Sequence, residues 1–84
     1  MNSLAYKIKT EPLVEDIVFS KHSMQLLLND GREIVVPLEW FPEIQNMSSL
    51  QKKDWRLIGK GVGIHWNKSD IDISLKYLLT GLID

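Results

Sequence analysis

The sequence predicts a small α+β domain: an antiparallel β-meander with a central hairpin at about 23–38, further short strands near 56–66, and two short helices at about 48–55 and 74–81. Three observations lead there. Apolar residues alternate on both sides of Asn29-Asp30-Gly31, and the same alternation returns over Arg56 to Trp66. A period of two marks a half-buried strand. Helix-start grammar then occurs twice, at Ser48 and at Ser74.

The hairpin is the element on which the chain is organised. A two-residue turn at Asp30-Gly31 would place Met24, Leu26 and Leu28 on one face with Glu33, Val35 and Pro37. A three-residue loop, Asn29-Asp30-Gly31, instead pairs Leu26 with Ile34 and Met24 with Val36, and gathers Met24, Leu26, Leu28, Ile34, Val36 and Leu38 on one face. A one-residue slip exchanges faces, so the apolar pattern selects the three-residue loop. Gly31 then takes the left-handed position that closes such a loop. The opposite face keeps Leu27 and Val35 beside Gln25 and Glu33.

Before the hairpin, Leu4, Tyr6 and Ile8 alternate with Ala5, Lys7 and Lys9, as a short strand or extended arm, and Pro12 interrupts. Leu13 to Ser20 reads as a strand with Leu13, Ile17 and Phe19 in phase and Glu15 on that same face. After the hairpin, Glu39 to Asn46 is expected as an ordered loop anchored by its aromatics. Pro42 has no N–H for a central strand and pushes Phe41 away from helical angles. Ser48 with Gln51 three residues on is a capping box for a helix to Trp55, with Met47 packing back on the first turn. Within Arg56 to Trp66, Ile58, Val62, Ile64 and Trp66 share one phase, and Gly59 to Gly63 is taken as a turn between two strand pieces. Asn67 to Asp70 is a turn, and Ile71 and Ile73 alternate with Asp70 and Asp72. Ser74 caps a last helix with Leu75, Leu78 and Leu79 inward and Gly81 as its stop.

Eighty-four residues, 1–84, make one domain, with 44% hydrophobic and 25% charged residues. The absence of cysteine excludes disulfides and thiolate chemistry and fits a cytoplasmic compartment. No apolar run approaches the ~20 residues that span a bilayer. MNSLAYKIKT lacks a signal-peptide core. A net charge of −1 gives no general attraction to nucleic acid or anionic membrane.

Each residue that suggests chemistry has a plainer reading that outweighs it. Gly59, Gly61 and Gly63 lack the strand–loop–helix context of a phosphate site, because the strand-like Ile64-His65-Trp66 follows. His65, Asp70 and Asp72 lack a third ligand at diagnostic spacing, and His65, out of phase with Ile64 and Trp66, is expected to point away from the core. His22 sits at a strand connection, and Ser74 reads as a cap rather than a nucleophile. No catalytic residue, metal or cofactor is therefore expected. Trp66 and Trp55 are expected in the core, whereas Trp40 and Phe41, on the irregular loop, join Leu27 and Val35 as a candidate protein interface. Lys52, Lys53, Arg56 and Lys60 form the candidate basic patch, diluted by Glu39, Glu43, Asp54, Asp70 and Asp72.

The order of features resembles the bacterial family catalogued as domain of unknown function 2442. The resemblance rests on Val14 to Phe19, Leu28-Asn29-Asp30-Gly31-Arg32, Val36-Pro37-Leu38-Glu39-Trp40-Phe41-Pro42, Trp55, Gly61-Val62-Gly63-Ile64-His65-Trp66, and Asp72-Ile73-Ser74 with Leu78-Leu79 and Gly81. Asn67 to Asp70 departs from the family, which is more acidic and often proline-containing there, so no shared role is carried over for that turn. The resemblance implies a compact α+β domain with no established enzymatic activity. Members are often encoded beside another small uncharacterised protein, an arrangement that has prompted toxin–antitoxin-like proposals. Some longer members add a helix-turn-helix domain; this chain ends at Asp84, so direct DNA binding is not expected. The resulting expectation is a non-enzymatic protein-interaction module, an antitoxin-like or regulatory partner of a neighbouring small protein, with a protein partner or a second copy bound. A nucleic-acid- or nucleotide-associated accessory domain using the basic patch is the alternative.

Overall fold

The computed structural model describes residues 11–80. The arm at Leu4 to Ile8, the helix stop at Gly81 and the packing of Leu82 and Ile83 lie outside the described residues. Two three-stranded antiparallel sheets follow one another along the chain. The first contains β1 (Val14–Phe19), β2 (Ser23–Leu28) and β3 (Glu33–Pro37); the second contains β4 (Trp55–Ile58), β5 (Gly63–Trp66) and β6 (Ile71–Ser74). Each is a meander in chain order. Between them lie a 3-10 turn, Leu38–Trp40, and two single-turn helices, α1 (Pro42–Gln45) and α2 (Ser49–Lys52); α3 (Leu75–Thr80) follows β6.

The β2–β3 hairpin has the register that the apolar pattern selects, with Leu26 opposite Ile34 and Met24 opposite Val36. The Gly31 N–H donates to the Leu28 carbonyl at 3.1 Å, and the Leu28 N–H donates to the Arg32 carbonyl at 2.9 Å. Gly31 has φ +93°, the left-handed value that a three-residue loop requires. The loop is further held by Asp30, which accepts from the Arg32 backbone N–H at 3.1 Å and from Arg32 Nε at 2.9 Å. The side-chain hydrogen bond, then the backbone one, hold the Asp30 carboxyl below the usual aspartate range.

β1 differs from strict alternation. Val14 lies opposite Leu28 and Asp16 opposite Leu27, so Glu15 is the extra residue of a β-bulge. The bulge brings Val14 rather than Leu13 into the core beside Ile17, with Phe19 packed against the cluster, and leaves Glu15 exposed rather than on the inward face.

Three other expectations are corrected. Glu39 to Asn46 is helical in part, because Pro42 occupies the first position of α1, where a missing N–H costs nothing. Phe41, before it, stays extended at φ −132°, ψ 79°. The capping box forms, with the Gln51 N–H on Ser48 Oγ at 3.1 Å and the Ser48 N–H on Gln51 Oε1 at 2.9 Å. Its helix nevertheless stops at Lys52, and Trp55 opens β4. In α3, Leu75 and Leu78 are buried, but Leu79 is 39% exposed. The last strand pairs with β5, so the strands near 56–66 belong to a second complete sheet.

One apolar cluster joins both sheets. Val14, Ile17, Met24, Leu26, Leu28 and Val36 meet Ile64, Trp66 and Ile73, with Leu38, Ile44, Met47, Leu75 and Leu78 filling in from the connections. Trp66 Nε1 donates to the Lys52 carbonyl at 3.1 Å and so ties α2 to β5. The sheets touch directly at Gly61. The Val14 N–H donates to the Gly61 carbonyl at 2.9 Å. A Cβ on Gly61 would lie 2.4 Å from the Val14 carbonyl oxygen and 2.8 Å from its nitrogen, and φ there is +122°.

Two outcomes are expected. Gly61→Ala lowers stability by about 2–4 kcal/mol, because both the strained φ and the backbone clash must be relieved; Gly31→Ala, whose Cβ meets nothing within 4 Å, loses about 1 kcal/mol from φ alone. Paired thermal melts of the two variants measure the difference. Arg32→Gln raises the pKa of Asp30, read by NMR titration of its carboxyl. Because the folded value is depressed, this pair contributes stability above the unfolded aspartate pKa, and that contribution is lost as pH falls through the folded one.

Candidate functional site

The second sheet has two faces of different chemistry. Cross-strand pairing sets Trp55, Trp66 and Ile71 in one row and Leu57, Ile64 and Ile73 in the next; both face the core. The outer face carries the rows Arg56–His65–Asp72 and Ile58–Gly63–Ser74. Ile58 therefore does not share a face with Ile64 and Trp66. The turn of Gly59 to Val62 sets Leu57, not Ile58, opposite Ile64.

His65 points away from the core, as its phase predicts. A hydrogen bond joins His65 Nδ1 to Asp72 Oδ1, the carboxylate accepting. The His65 side chain is 16% exposed and that of Asp72 is 65% exposed. The pair fixes the direction of a carboxylate whose second oxygen remains open. Among the described residues no three His, Asp or Glu side chains gather to hold a metal.

Beside this pair lies an open hollow of about 610 Å³. Its walls are Ile58, Val62 and Gly63 on one side and Phe41 and Tyr77 on another, and the β6 residues Asp72 to Ser74 border it. Local sequence explains each wall. Pro42 holds Phe41 extended, Ile58 is turned outward by the hairpin register, and Tyr77 is on the exposed side of α3. Gly63 is bare because a Cβ there would meet the Ile73 carbonyl oxygen at 2.9 Å and Ile58 Cδ1 at 3.3 Å. The hollow thus offers apolar walls, one charged group and the hydroxyl-bearing side chains of Ser74 and Tyr77, a composition suited to holding an apolar side chain next to a cation.

The four candidate interface residues fall on two surfaces. Leu27 and Val35 share the outer face of the first sheet, where Leu27 is flanked by Asp16 and Glu33. Val35 is 63% exposed beside Gln25, whose amide donates to Glu33. Trp40 is 43% exposed in the 3-10 turn, and Phe41 lines the hollow. The four basic residues are dispersed as well. Lys52 is half-buried on α2, Arg56 is in the His65–Asp72 row, and Lys53 and Lys60 bracket β4, about 13 Å of strand. Gly59 and Gly61 form the turn of an antiparallel hairpin, and β5 follows them directly. Sequence reasoning did not foresee the hollow. Ile58 was assigned to the wrong face, and Tyr77 carries no signal apart from its place on the helix opposite Leu75 and Leu78.

Residues 14–84 match the model of a family described as protein of unknown function (DUF2442). The crystal structure of a protein of unknown function from Rhodospirillum rubrum is similar with a TM-score of 0.76 and 23% identity. The match covers 89% of this chain and 93% of that one, and shows a shared fold. No curated protein matches the chain.

The tryptophans test the division between core and surface. Trp66→Phe removes the bond to the Lys52 carbonyl from a buried site and costs about 1–3 kcal/mol, whereas Trp40→Phe costs under about 0.5 kcal/mol. Urea midpoints of the two variants give both values.

Proposed function

This chain belongs to the DUF2442 family, whose function is unknown, and we propose that it acts as a non-enzymatic protein-interaction module of antitoxin-like or regulatory character. The hollow on the second sheet carries this reading. Val62 (43% exposed) and Tyr77 present apolar surface to solvent at a concave site. Phe41 gives the site a fixed aromatic wall. Such a constellation suits anchoring of a partner side chain, since interfaces draw most of their affinity from apolar and aromatic groups seated in pockets. The His65–Asp72 pair serves recognition here: it aims a carboxylate at the rim. The outer face of the first sheet, with Leu27 and Val35, is the weaker surface because Asp16, Gln25 and Glu33 frame it. Dispersal of Lys52, Lys53, Arg56 and Lys60 leaves the nucleic-acid alternative without a groove.

The test is affinity capture of the tagged full chain from its native cells. Three baits are used: wild type, Val62→Asp and Val35→Asp. Each must first show a cooperative thermal melt. A stoichiometric protein partner is expected on the wild type and on Val35→Asp, with retention reduced at least about tenfold on Val62→Asp. Recovery of the wild-type chain alone, or equal retention on all three baits, overturns the reading.

A further inference from the structure

The strand that borders the hollow is also an open edge. Within β6, Ile73 pairs with Ile64 of β5, and the Leu75 N–H donates to the Val62 carbonyl at 3.0 Å. In an antiparallel ladder successive residues turn their backbone groups to opposite sides. Asp72 and Ser74 therefore direct their N–H groups away from β5, and Asp72 its carbonyl too, on the side where β6 has no strand neighbour among the described residues. The edges of the first sheet are blunted. On β1 the Val14 N–H is held by Gly61, and the Ile17 N–H is taken by the carboxylate of Asp16 at 2.8 Å. β3 ends in Pro37, which has no N–H to give.

We infer that β6 and the hollow together form a strand-addition site for an extended partner segment in which an apolar residue precedes a lysine or arginine by two positions. This inference rests on the interaction reading of the hollow and names the chemistry of its partner. Charge complementarity selects the occupant, because among the described residues Asp72 is the one charged residue lining the hollow and His65 aims its carboxylate. An antiparallel segment meets Ser74 first and Asp72 second. Side chains two positions apart lie on one face of a strand. The residue opposite Ser74 thus extends the row Ile58–Gly63–Ser74 and leans over Ser74 toward the hollow, and the residue opposite Asp72 brings its cation to the carboxylate. Main-chain bonds supply affinity and these two side chains supply specificity, as in other strand-addition sites.

The probe is the peptide acetyl-Thr-Leu-Thr-Lys-Thr-Val-amide, titrated into the isotope-labelled full chain and followed by backbone amide shifts. Controls are the same peptide with glutamate for lysine, and the reversed order Thr-Lys-Thr-Leu. Saturable shifts at Val62, Gly63, Asp72 and Ser74 are expected, with a Kd on the order of 1 mM. Asp72→Asn weakens the lysine peptide by about three- to fivefold, and Asp72→Lys reverses the preference toward the glutamate peptide. No saturable shift, equal binding of all peptides, or shifts confined to Glu33 and Val35 overturns the inference. If partner capture fails on Val62→Asp but is unchanged on Asp72→Asn, the interaction reading stands and the basic-segment inference falls.

Discussion

The contact between Gly61 and the backbone of Val14 is the constraint on which the two-sheet arrangement depends. It is short enough that no side chain fits, and it closes with a hydrogen bond from the Val14 N–H. A domain of this size buries only roughly 60% of its unfolded surface, so sharing one core between the two sheets matters to its stability. Holding the first residue of β1 against the β4–β5 turn brings both faces onto one cluster. The bulge at Glu15 belongs to the same arrangement: it turns Val14 into the core while its N–H reaches outward to the second sheet.

The first sheet was largely legible in the sequence because its information is local. Period-two alternation, a three-residue loop and a glycine at the left-handed position agree on one register. The capping box was legible for the same reason. What escaped depended on tertiary context. Nothing in VEDIVF marks Glu15 as an extra residue, because the bulge is fixed by the approach of Gly61, more than forty positions later. Pro42 reads as a breaker in the sequence, although the same missing N–H suits a helix start. Among the site residues, His65 was placed correctly by its phase. Ile58 was misplaced because an even-numbered turn changes the phase of the strand beyond it.

The outer face of the second sheet combines rigidity with restraint. Its polar row is tied by His65 and Asp72, and its apolar row is interrupted by a glycine over which Ile58 folds. The result is a concave patch with a floor of strand residues and walls from Phe41, the Val62 turn and Tyr77 of α3. Recognition on such a surface loses little conformational entropy on the side of the protein. The fold shared with the Rhodospirillum rubrum protein at 23% identity means that the scaffold tolerates wide sequence change.

The four-residue turn from Gly59 to Val62 has an evolutionary consequence. A one-residue slip of β4 against β5 at this turn would carry Arg56 inward and Leu57 into water. A step in the length of this turn is therefore admissible only where it keeps Ile58 opposite Gly63. Such a step must also return a glycine to the point of contact with β1. Exposed positions outside the strands, such as Leu50 and Lys68, carry no such constraint, because no register is at stake there.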